Sequence, residues 1–139
     1  MPAPSPSRAA AASHLAAAAA AVLALVAAGG VVVWAGMVAF AGPALVLATA
    51  GRHDAFVRIH AVAALRFNLS IALYLGAIVA AMRLATGTPY LVQVVPFLLF
   101  ANLILALNWL LFSAIGAVRA YEGQLFTYPM TLTLPRRGR

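Results

Sequence analysis

The chain has 139 residues, of which 65% are apolar and 8% charged. That leaves too little polar surface to enclose a water-soluble core of this size, so lipid is the expected solvent. The formal charge of +7 comes from nine arginines against Asp54 and Glu122. They flank apolar runs without aromatic interleaving, so they read as orienting groups and partners of anionic lipid headgroups, and no nucleic-acid partner is expected. The lack of cysteine removes disulfides, thiolate chemistry and iron–sulfur ligation.

In chain order, residues 1–8 form a Pro/Ser-rich tail expected to stay disordered. No charge occurs from residue 9 to 51 or from 84 to 118, and crossing a hydrocarbon layer of ~30 Å takes about 20 apolar residues. The first run also reads as the apolar part of a cleavable signal behind Arg8, but its continuation to residue 50 favours a retained span. As one straight helix, residues 15–50 would measure about 54 Å at ~1.5 Å per residue. Gly29-Gly30 divides this stretch into helices at about 9–28 and 31–49, and Gly42-Pro43 should kink the second. A three-span alternative keeps 15–50 as one tilted or re-entrant element.

The polar turn at 51–54 ends on Asp54, placed as the N-cap of a third helix. This long helix, at about 55–83, starts amphipathic with Arg58, His60 and Arg66, then becomes apolar. A polar turn at 85–90 leads to a fourth helix at about 95–121, with Pro96 near its first turn and Gly123 ending it. Residues 124–139 read as a cytoplasmic interfacial tail. The expected fold class is therefore all-α, an integral membrane bundle of four transmembrane helices forming one domain over 9–123. Eight arginines fall on the side of the termini and Arg83 alone on the other, which puts both termini in the cytoplasm of a plasma-membrane protein.

Two groups of residues stand out. At the cytoplasmic helix ends, His14, Arg58, His60, Arg66, Asn68, Arg119 and Glu122 form a candidate polar cluster. His14 and His60 can approach each other there, either bonding carbonyls and headgroups or ligating a metal or haem; the reading adopted holds no cofactor and no metal. Arg66 either snorkels or marks a site, and Glu122 is expected to meet Arg66, Arg58 or Arg119. Asn108 is expected to reach Tyr74. The second group is a packing stripe in which Ala72, Gly76 and Ala80 on the third helix face Ser113, Gly116, Ala117 and Ala120 on the fourth.

A resemblance follows from Ser13-His14-Leu15, Ala41-Gly42-Pro43, the block Phe56-Val57-x-x-His60-Ala61-x-x-Ala64-Leu65-x-Phe67 with Asn68, and Ala120-Tyr121-Glu122-Gly123 ahead of Tyr128-Pro129. The chain resembles a bacterial family of membrane proteins of unknown function, distantly similar to the chloroplast import component Tic-twenty. It departs from that pattern at Val62-Ala63 and Arg66. The resemblance implies four helices with cytoplasmic ends and names no reaction.

No serine stands in a His–acid relay and no glycine loop cradles a phosphate, so an enzyme is not expected. The function expected is that of a non-enzymatic accessory or assembly subunit of a larger membrane complex, translocation-related if the resemblance extends that far, with a protein partner or a second copy in the membrane. The alternative is a small transporter or channel acting as an oligomer, with a path past His60, Arg66 and Asn108.

Overall fold

The computed structural model describes residues 5–27 and 36–131. Among these the structure is helical: α1 (Pro6–Ala27), α2 (Ala41–Ala48), a 3-10 turn (Ala50–Arg52), α3 (Ala55–Ala85) and α4 (Leu91–Tyr121). The expected break at Gly29-Gly30 and residues 31–35 of the expected second helix lie outside the described residues.

Local chemistry explains most of the ends. Helix α1 starts inside the segment expected to be disordered, because Ser5 precedes a proline at the first helical position, where no N–H is needed, and the Ala9 N–H bonds the Ser5 carbonyl at 3.1 Å. Gly42-Pro43 does not kink a continuous helix. The chain leaves a helical turn at 36–38, bends at 39–40 and restarts as α2, which puts Pro43 in the first turn. Asp54 caps α3 as expected, its Oδ1 accepting from the Val57 N–H at 3.0 Å. Helix α4 begins at Leu91, earlier than expected, so Pro96 lies inside it. Gly123 ends α4 at φ 76°, with Gln124 N–H bonding the Arg119 carbonyl at 2.8 Å and Gly123 N–H the Ala120 carbonyl at 3.1 Å, a Schellman closure.

Helices α3 and α4 are antiparallel neighbours, with the Trp109 level of α4 beside Asn68 of α3. Helix α1 runs with α3 and against α4: Ala10 packs with Val57 and Ala120, while Ala17 and Ala21 reach Ala39 and Trp109. The contacts are built from alanine and glycine, which let backbones approach closely. A Cβ on Gly42 would overlap the Ala16 carbonyl, and one on Gly36 would strike Leu75.

Helices α3 and α4 are each long and apolar enough to cross a membrane, whereas the apolar helices Ser7–Leu23 and Gly36–Ala48 are shorter. The outer face of α4 carries Val92 81%, Phe97 76% and Phe100 64% exposed, with Leu103, Leu107 and Leu111 also open. Exposed apolar residues along that length mark a surface made for lipid or for another protein.

Candidate functional site

The most polar part of the interior is a chain of three side chains from three segments. His14 comes from α1, His60 from α3, and Tyr128 from the segment after α4. His14 Nδ1 lies 2.5 Å from the Tyr128 hydroxyl and His14 Nε2 3.0 Å from His60 Nδ1. His14 and His60 are 1% exposed and Tyr128 5%. The histidine rings meet edge to face at 86°. Phe56 leans on His60 with centroids 4.6 Å apart, and Phe67 stacks on Tyr128 at 4.1 Å.

The reason these groups meet is a glycine. A Cβ on Gly116 of α4 would lie 2.8 Å from the Tyr128 hydroxyl and 3.0 Å from His14 Nδ1. Only a residue without a side chain lets the pair sit against that helix. Burial also pushes the Tyr128 phenol above its ordinary pKa of 10.0, so its hydroxyl keeps a proton to donate. With Tyr128 donating to His14, His14 donates to His60 and leaves the His60 Nε2 proton over; the reverse order makes Nε2 the free acceptor. Among the described residues His60 Nε2 has no hydrogen-bond partner in either order, although the Gln124 backbone approaches the ring. Ser113 Oγ is a second buried polar atom without a partner among the described residues.

The two histidines expected to approach each other are thus joined directly. Their facing nitrogens are spent on that bond, and among the described residues no set of three His, Cys, Asp or Glu side chains comes together to hold an ion.

The rest of the expected cluster separates into three places. Asn68 is buried and turned the other way: its Nδ2 donates to the Ala64 carbonyl at 2.8 Å, and its Oδ1 accepts from Trp109 Nε1 at 2.8 Å. Arg58 and Arg66 line a groove beneath the 125–131 segment. Glu122 lies 3.9 Å from Arg119 on its own helix end, both about half exposed, so it does not set the register between α3 and α4. Arg119 also bonds Gln124 Oε1.

The small-residue stripe divides too. Ser113, Gly116, Ala117 and Ala120 are buried, but Gly116 faces His14 and Tyr128, and Ala120 packs with Ala10 of α1. A Cβ on Gly76 would meet nothing within 4 Å, and Ala80 is exposed. On α4, Gly116 and Ala120 therefore meet α1 and the tail, while Gly76 and Ala80 of α3 stay open.

Asn108 bonds the Ile104 carbonyl of its own helix at 2.8 Å, and Tyr74 donates to the Met130 carbonyl at 3.0 Å. The groove at Arg66 includes neither His60 nor Asn108.

Tyr128 is the residue that sequence reasoning missed. Residues 124–131 fold back along α3 and insert Tyr128 between the helices. The signal available was Tyr128-Pro129 itself, an aromatic with a polar tip inside the segment expected to be an interfacial tail.

A family model matches residues 9–135: the magnetosome magnetite crystal formation protein family (MamF/MmsF). This overturns the resemblance to the family of unknown function and to Tic-twenty, since the blocks that suggested it lie within the matched span. No curated protein and no solved structure matches the chain.

Proposed function

The chain belongs to the magnetosome magnetite crystal formation family, and on that premise we propose that it is a non-enzymatic helical protein of the magnetosome membrane that assists magnetite crystal formation. The observation that carries the proposal is the family match along nearly the whole chain. The lipid-compatible outer face of α4 agrees with a membrane setting. The translocation reading falls with the resemblance that suggested it, and the plasma membrane gives way to the magnetosome membrane as the proposed location.

The polar interior supports an accessory role over catalysis. Ser13 and Ser70 bond carbonyls of their own helix, and His14 is engaged at both nitrogens. The buried chain of His14, His60 and Tyr128 binds three segments together, which suits a rigid scaffold. In this proposal the chain crosses four times, the two spans ahead of α3 being those expected at about 9–28 and 31–49, and the arginine distribution favours both termini on the cytoplasmic side.

Removing the gene from a magnetite-forming host tests the role. Electron microscopy should then show smaller or fewer crystals, restored by the intact gene. Crystals of unchanged number, size and habit would refute it.

A further inference from the structure

Arg58 and Arg66, both exposed on α3, line a groove of about 530 Å³ together with Ile59, Val62 and Phe126. No acid lines this groove, and among the described residues the one salt bridge is Arg119 with Glu122. Among the described residues neither guanidinium is therefore ion-paired. Further along α3, a second groove of about 430 Å³ opens between Tyr74, Ala77 and Ile78 and, on α4, Ala101 and Ile104. It carries no charged side chain. Met130 lines both grooves and is held at their junction by the Tyr74 hydroxyl on its carbonyl. From Arg66 to Ala77 is roughly 16 Å of helix at ~1.5 Å per residue.

We propose that the two grooves form one binding site for an anionic phospholipid, whose phosphate is held by Arg58 and Arg66 and one of whose acyl chains runs past Met130 into the cleft between α3 and α4. The order of chemistry along the helix is that of the lipid: cationic at the end where the polar turn begins α3, apolar toward its middle. The guanidinium fork matches phosphate oxygens, and a free phosphate would leave the apolar half unfilled. An acidic peptide would have to bring an aliphatic tail of its own. The site rests on the membrane setting proposed above and on nothing concerning magnetite.

The test uses the full chain, purified in mild detergent and moved into nanodiscs of mixed phosphatidylcholine and phosphatidylglycerol. Native mass spectrometry of the released protein then counts the lipids retained. The wild type should keep phosphatidylglycerol in preference to phosphatidylcholine. The double variant Arg58→Gln/Arg66→Gln should lose that retention by on the order of 30-fold, while Arg52→Gln/Arg83→Gln should keep it. Ala101→Trp, which fills the apolar half, should weaken retention with both arginines in place. Equal retention of the two lipids, full retention by either site variant, or displacement by inorganic phosphate or an acidic peptide would overturn the proposal. A chain that stays in solution without detergent would instead overturn the membrane setting, so the two failures are distinguishable.

Discussion

Two glycines a few turns apart on neighbouring helices make opposite predictions. Gly116→Ala drives a methyl group into the His14–Tyr128 contact and should cost about 1–3 kcal/mol as overpacking, read as a lowered unfolding temperature in detergent. Gly76→Ala meets open space and should be neutral or gain about 0.5–1 kcal/mol from helix propensity. If the two variants behave alike, the assignment of Gly116 as the packing point is wrong. Tyr128→Phe leaves His14 Nδ1 buried without its partner, for a cost of about 1–3 kcal/mol. It should also alter the alkaline limb. A phenol whose folded-state pKa lies above its ordinary value of 10.0 contributes stability that is complete below that pH and is lost as the pH climbs past it. Stability of the wild type measured from pH 8 to pH 11, chosen to bracket ~10, should therefore fall at the upper end more steeply than that of Tyr128→Phe; parallel curves would exclude Tyr128 as the cause. His14 and His60 were legible in the sequence as polar groups at matching helix ends. Their third partner was not, because a headgroup-level aromatic and a buried hydroxyl donor have the same composition and differ only in where a non-periodic segment folds.

Among the elements, local chemistry written in the sequence predicted the ends that carry caps. Asp54 and Gly123 act as their residue types require. Asp54→Ala should therefore cost about 1 kcal/mol by loss of the cap, whereas Glu122→Gln, whose partner Arg119 is exposed on the same helix end, should change stability by no more than a few tenths of a kcal/mol. Thermal unfolding of both variants in one detergent reads the difference directly. Where the reading failed, a general rule was applied without its position. Proline at 6 sits at a first helical position and starts α1 instead of breaking it, while Pro96 falls inside α4 because the turn before it closes sooner. The pairing of small-residue stripes failed for a related reason. Alanine-rich helices offer several such faces, and α4 spends its own on α1 and on the returning 124–131 segment, leaving Gly76 open.

At the scale of the molecule, composition made the all-helical class legible: an apolar fraction of 65% is well above that of an ordinary soluble domain, in keeping with two helices long and apolar enough to cross a membrane. The specific biology was not legible in the same way: blocks around His60 and Tyr128-Pro129 suggested one family while the chain belongs to another. Short motifs in apolar helices are drawn from few residue types, so a likeness over scattered blocks carries less than a match along residues 9–135. The central claim, a membrane-embedded helical protein of the magnetosome, is tested most directly by isolating magnetosomes from a magnetite-forming host that expresses the tagged full chain and extracting them with alkaline carbonate. The account predicts that the chain copurifies with the vesicles and stays in the membrane pellet until detergent is added. Recovery in the carbonate supernatant, or absence from the magnetosome fraction altogether, would contradict it.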